Sequence, residues 1–317
     1  MATGSKSLSG ERSALRDELA AVWSSFPDKL LFFSLCTVWV VFFHVLGNST
    51  FGYLDTPSLF GWMNYTYSCQ EDDRHGKLVP LVVLALLWIK RRELADVAKA
   101  PWWPALVLVA AGLLLHMAGY IVQQTRISIL AFFLGLYGLA GMVWGPKFLR
   151  AAFFPYFLFI FCFPLGTLAD KITFPLRTLV TQISVGIAHL LGVEAIRNGT
   201  QIIGANGFNF DVGPACSGIR SLTALTALTT IYGFLTFHAS WKRVLMVFVA
   251  VPLALVGNVS RITGVILTSE AFGERAGLKF HDGAGFMTFF VAILCVMALG
   301  HWLREDRTVP PLEEQPA

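Results

Sequence analysis

Val244-Leu-Met-Val-Phe-Val-Ala-Val-Pro-Leu-Ala-Leu-Val-Gly-Asn-Val-Ser-Arg-Ile262 decides the fold class. From Val244 to Val256 no side chain is polar, and the stretch belongs to an apolar run over 243–267. That run exceeds the ~20 residues that carry a helix across a bilayer. Arg261 stands inside it, where a charge costs roughly 2.5–3.5 kcal/mol at the bilayer centre. Such a guanidinium either serves a purpose or snorkels to the headgroups. Asn258, three residues earlier on the same helix face, is positioned to hold it.

Seven further runs resemble this one, giving spans at about 29–47, 76–90, 102–122, 127–145, 151–168, 215–237, 243–267 and 283–302. Composition agrees: 55% of residues are hydrophobic and only 14% charged, against about 25% charged in soluble domains. The expected fold is therefore an all-α integral membrane protein of about eight transmembrane helices, surrounded by lipid and not by nucleic acid. The stretch 172–192 differs, because Arg177, Thr178, Thr181, Gln182, Ser184 and His189 interrupt its apolar face. It reads as an amphipathic helix lying on the membrane surface. Gln201-Ile-Ile-Gly204 and Gly207 to Gly213 read as two short strands around an Asn206-Gly207 turn. The domain plan is a cytoplasmic tail over 1–28, a membrane domain over 29–303 with an extracytoplasmic segment at 169–213, and a cytoplasmic tail over 304–317. No cleavable leader precedes the first span, because residues 1–28 are polar and mixed in charge.

Basic residues orient the chain. Lys6, Arg12, Arg16 and Lys29 precede the first span, Lys90-Arg91-Arg92 follow the second, and Lys147 with Arg150 separate the fourth and fifth. Lys242 and Arg243 separate the sixth and seventh, and Arg304 and Arg307 follow the eighth. Eight spans put all of them on one side, the cytoplasmic one. The chain then enters its sixth span from outside, leaves through the seventh and re-enters by the eighth.

Three segments meet at that outer face. In Gly213-Pro-Ala-Cys-Ser-Gly-Ile-Arg-Ser221, Pro214 suits the first turn of a helix. Cys216 then lies among unpaired backbone N–H groups, which favour a thiolate. Arg220, at i+4, adds positive charge on the same face. The second segment carries Arg261 with Asn258. The third, His281-Asp-Gly-Ala-Gly285, opens the last span. Its small residues Gly283, Ala284 and Gly285 would let another backbone approach. Asp282 caps that helix or orients the imidazole. Cys, Arg and His supply the nucleophile, charge stabiliser and proton shuttle of a thiol acyl-transferase. Cys36, Cys162 and Cys295 read as core residues of spans. Cys69, on the outer side, offers a disulfide to Cys216 as the rival reading. No metal-ligand spacing, Walker sequence or GxSxG elbow is present, and neither metal nor cofactor is expected.

Ala215-Cys-Ser-Gly-Ile-Arg-Ser-Leu222, Asn258-Val-Ser-Arg-Ile262 and His281-x-x-x-Gly285 resemble the three motifs of the exosortase/archaeosortase family. Arg74-His-Gly-Lys-Leu-Val-Pro80 resembles that family's early segment, and the likeness runs from about 74 to 300. The resemblance implies a membrane cysteine protease/transpeptidase in a prokaryotic cytoplasmic membrane, with its active site on the extracytoplasmic side. Its substrates would be exported proteins ending in a Pro-Glu-Pro-like motif, a transmembrane helix and a basic tail. By that likeness Cys216 forms a thioester, Arg261 stabilises the transition state, and His281 protonates the leaving amine and activates an unknown acceptor, for which a lipid and a glycan are the candidates. Ser217, Arg220, Asn258 and Asp282 would support the site or bind substrate. Two other classes stay open: a transporter of a polysaccharide or lipid intermediate, with Arg220 and Arg261 holding an anionic headgroup, and a non-catalytic assembly factor.

Overall fold

The structure, a computed structural model, describes residues 16–50, 54–165, 167–212 and 219–304. The chain divides into two compact units, Met1–Gly166 and Thr167–Ala317.

The first unit runs from α1 (16–24) through α2 (Lys29–Leu46), α3 (Leu59–Cys69), α4 (Val79–Ile89) and α5 (Arg91–Asp96). It continues with α6 (Leu106–Ile121) and α7 (Thr125–Phe157), which a short 3-10 turn extends to Cys162. Its core forms where Trp39 and Phe43 of α2 meet Ile129 and Phe132 of α7. The Trp39 indole donates to the Phe132 carbonyl at 3.0 Å, satisfying a group that lipid could not. His116 is a satisfied core histidine, sharing a 2.9 Å hydrogen bond with Ser128, which in turn bonds Ser49.

The element α7 is not one rod. Gly145 takes φ 88° and ψ 176°, a backbone conformation open to glycine. Pro146 then begins a second arm in the position proline favours. The arms lie back along each other: Phe133 stacks on Phe159 at 4.1 Å, and Tyr137 donates to the Leu149 carbonyl at 2.7 Å. The sequence suggested a loop holding Lys147 and Arg150. Instead the chain turns at Gly145, and both basic residues are helical. A turn this short leaves few backbone groups without a helical partner, which matters where water is absent.

In the second unit α8 (Thr167–Leu190) precedes β1 (Ala195–Asn198), β2 (Gln201–Gly204) and β3 (Asn209–Asp211). Then come α9 (Ile219–Thr236), α10 (Ser240–Phe272) and α11 (Glu274–Trp302). The spine is α10, about 50 Å long at 1.5 Å per residue. Its first half packs on α9 and α11 through Met246, Ala250 and Ala254 against Leu225, Ala292 and Val296. Its second half packs on α8 and the sheet, Val259, Ile262 and Ile266 meeting Val180, Ala188 and Ile202. The Ser184 hydroxyl donates to the Val259 carbonyl at 3.2 Å, fixing α8 on this half.

The sheet has the order β1-β2-β3, antiparallel throughout. The stretches read as two strands do pair with each other. Their connection spans 205–208 and is longer than a two-residue Asn206-Gly207 turn. A third strand, β1, joins through Gly199 at φ 63°.

Among the described residues, five helical segments are long and apolar enough to cross a membrane: Lys29–Leu46, Trp103–Ile121, Thr125–Cys162, Ser240–Phe272 and Glu274–Trp302. The apolar run at 76–90 forms a shorter helix, the described part of the run at 215–237 is the 18-residue α9, and the run at 127–145 and most of that at 151–168 share the folded-back α7. By length and composition the described residues give five such segments, one of them the two-armed α7, and they do not reproduce a count of eight. The helix expected over 172–192 starts at Thr167 and is not one of the five.

Candidate active site

The candidate residues with described side chains lie on one helical hairpin. Gly273, at φ 87° and ψ 164°, is the single residue between α10 and α11. The helices run antiparallel from it, and at their far ends Lys242 donates to the Leu303 carbonyl at 2.9 Å. Close contact needs small residues: a Cβ on Gly264 would strike the Phe280 ring, and one on Gly277 the Ser269 hydroxyl.

Arg261 lies about 32 Å along α10 from Ser240, and His281 about 32 Å along α11 from Trp302. Both distances match the thickness of a hydrocarbon core, so both residues sit near one edge of the apolar stretch. This lowers the apparent cost of Arg261, whose penalty is greatest at mid-bilayer. Its side chain is 9% exposed, and its Nη2 donates to Asn258 Oδ1 at 2.7 Å. The hydrogen bond to Asn258 expected from the sequence is present.

The position of His281 differs from its reading as the first residue of a span. The helix begins at Glu274, so His281 lies two turns inside it and is half-buried. Asp282 is likewise interior and cannot be the N-cap; its side chain lies outside the described residues. A Cβ on Gly283 would meet open space, so among the described residues no backbone packs against it. Gly285 has another role: a Cβ there would lie 3.5 Å from Arg261 Nη1. Residues 281 and 285 are four apart and share a helix face. That face looks onto α10 at Arg261, with His281 one turn nearer Gly273.

Cys216 and Ser217 lie outside the described residues, as does the Arg220 side chain; Arg220 itself belongs to the first turn of α9. The structure defines what leads into that segment. Val212 is fully buried against the α8–α10 core, and its N–H donates to the Thr200 carbonyl at 3.1 Å. Cys216 follows it by four positions, at most about 14 Å of chain. The turn before β3 is itself tied down, because Asn206 donates to Glu270 near the end of α10 at 2.6 Å. Nothing in the sequence marked that pair.

Cys36 is half-buried and Cys162 buried, whereas Cys295 and Cys69 are exposed free thiols. Among the described residues no group of His, Cys, Asp and Glu could hold a metal ion.

Residues 62–298 match the transmembrane exosortase family. The chain belongs to that family. The match covers three quarters of its length and takes in α4, the sheet, α9, both arms of the α10–α11 hairpin and the segment with Cys216. No curated protein and no solved structure matches this exosortase-family chain.

Proposed function

We propose that this exosortase-family protein is a cysteine transpeptidase of the prokaryotic cytoplasmic membrane, acting on its outer face. It cleaves exported proteins near a C-terminal Pro-Glu-Pro-like motif that precedes a transmembrane helix and a basic tail. The observation that carries the reading is the α10–α11 hairpin, where Arg261 and the His281–Gly285 face share one seam. A buried, hydrogen-bonded arginine beside a histidine fits acyl transfer better than either residue alone.

The chemistry follows from the residue types. The Cys216 thiolate attacks the scissile carbonyl, and negative charge grows on the carbonyl oxygen. Arg261, held by Asn258, offers two-pronged N–H donors to that oxygen without having to reorganise. As the C–N bond breaks, His281 gives its proton to the departing amine, leaving a thioester on Cys216. The neutral imidazole then takes a proton from the acceptor nucleophile, which attacks the thioester and frees the thiol. Ser217 and Arg220, next to the nucleophile, and Asp282, next to the imidazole, assist. A substrate helix reaches the site laterally through the bilayer. The tails 1–28 and 304–317 are cytoplasmic.

The test is co-expression with a reporter carrying the motif, helix and basic tail. Tail removal is expected with the intact thiol and absent with Cys216→Ala. Equal processing by both would overturn the nucleophile assignment.

A further inference from the structure

The inward face of α8 is not purely apolar. Arg177, Thr181 and Ser184 recur at helical spacing on the face that carries Val180, Val185 and Ala188 into the core. Two of the three polar groups are satisfied locally. The Thr181 hydroxyl donates to the Arg177 carbonyl, and that of Ser184 to the Val259 carbonyl. The Arg177 guanidinium differs. The residue is 9% exposed, and its Nε–H is buried without an acceptor. Among the described residues, the Phe174 ring faces its charge from 5.8 Å away. Ion pairs among the described residues include those of Lys90, Arg91 and Arg92 with Glu93 and Glu18, and none of these involves Arg177.

One ring contact returns less than it costs to bury a guanidinium without a counter-charge. Among the described residues that charge is left under-compensated. The missing partner is a planar oxyanion, because the Nε edge of arginine presents two parallel N–H donors to such a group. We infer that Arg177 binds a carboxylate of the substrate's extended segment, in the seam between α8 and α10. This rests on the transpeptidase reading of Arg261 and Cys216.

Placement favours a peptide. Arg177 is on the face of α8 that packs inward, whereas Phe174, Leu179 and Lys171 are exposed and would meet a lipid first. Ser184 marks the level of Val259 on α10, between Asn258 and Arg261. Arg177 lies about 10 Å from Ser184 along α8. An extended chain covers that distance in about three residues. The bound acid therefore lies about three residues along the seam from the level of Ser184 and Val259.

The test uses the full-length protein in lipid nanodiscs and reporters in which each juxtamembrane acidic residue is changed to its amide. Arg177→Gln is expected to raise KM about tenfold with kcat nearly kept, and Arg177→Lys to restore part of the loss. One amide reporter should show the same tenfold loss with the wild-type enzyme and no further loss with Arg177→Gln. The Arg177→Met protein without substrate should melt no lower than wild type, since an uncompensated charge has been removed. An unchanged KM, losses that multiply, or a lower melting temperature would each overturn the assignment. So would an Arg177 effect that vanishes when anionic phospholipid is left out of the nanodisc, because the occupant would then be a headgroup. Binding of a fluorescent reporter peptide to Cys216→Ala protein, with and without Arg177→Gln, needs no turnover. It decides the role of Arg177 even if wild-type processing fails and the transpeptidase reading falls.

Discussion

The side-chain amide of Asn206 donates to the Glu270 carboxylate at 2.6 Å, tying the turn before β3 to the end of α10 that follows Arg261. One helix thus carries the arginine and also fixes the sheet whose last strand leads to Cys216. Losing a net hydrogen bond of about 0.5–1.5 kcal/mol would slow processing up to about tenfold if the thiol drifts. Asn206→Ala and Glu270→Ala should both show this, whereas Glu270→Gln, which keeps an acceptor oxygen, should stay near wild type. Alkylation rates of Cys216 in the three variants give a second reading. Equal processing in all three would mean that the contact positions nothing.

Arg261 and His281 should fail in different ways. Arg261→Gln keeps a polar group but loses the charge, and kcat should fall about 100- to 1000-fold, as when an oxyanion donor is removed. His281→Gln should also abolish turnover, yet leave Cys216 open to a small alkylating agent. Asn258→Ala leaves a buried Arg261 donor without its acceptor, a change that costs about 1–3 kcal/mol. Its melting temperature should drop along with its activity. Full activity in Arg261→Gln would remove arginine from the mechanism.

The glycines of the α10–α11 hairpin should separate by role. At Gly285 a methyl group finds ordinary contact, 3.5 Å from Arg261 Nη1, so Gly285→Ala should work. Gly285→Leu should displace the guanidinium and stop processing while the protein still folds. At Gly277 a methyl group meets the Ser269 hydroxyl. Gly277→Ala should therefore lower stability by about 1–3 kcal/mol, the usual cost of overpacking. Thermal unfolding in detergent, measured beside reporter cleavage, distinguishes the two effects.

Within the first unit, α1 is held by Glu18, which pairs with Arg92 at 2.7 Å and Arg91 at 2.9 Å. The hydrogen bond from Arg92 holds the Glu18 carboxyl below its usual range. A carboxyl lowered in the folded state contributes above its unfolded pKa of about 4.3 and loses that contribution as pH falls through the lower folded value. The α1 tether should therefore hold at pH 7 and release below about pH 4, sooner in high salt. Trp23 fluorescence would report the release. A signal flat from pH 7 to 3 would show that α1 is held otherwise.

Much of this was legible in the sequence, because lipid allows few alternatives. Apolar runs mark the helices, and the Asn258–Arg261 contact follows from i, i+3 spacing. What escaped has physical causes. Glu274, Arg275 and Lys279 break the apolar pattern, so the last run seemed to start at 283, although the helix starts at Glu274. Helical hydrogen bonding continues past the hydrophobic stretch, and hydropathy cannot register that. Gly145 was hidden because its φ of 88° belongs to the backbone, not to side-chain polarity. β1 carries Arg197 and Asn198 in four residues, with no alternation to announce a strand. The burial of Arg177 was least visible, since a charge on an amphipathic helix is expected to face outward.

The single-residue joint at Gly273 has a consequence for how this chain can vary over time. Arg261 and His281 are counted outward from the same joint along two rigid rods, with no slack between them. Adding or deleting one residue on either arm would swing one partner about 100° round its helix. Genetic drift in length is therefore barred between the two residues, even where side chains are free to change.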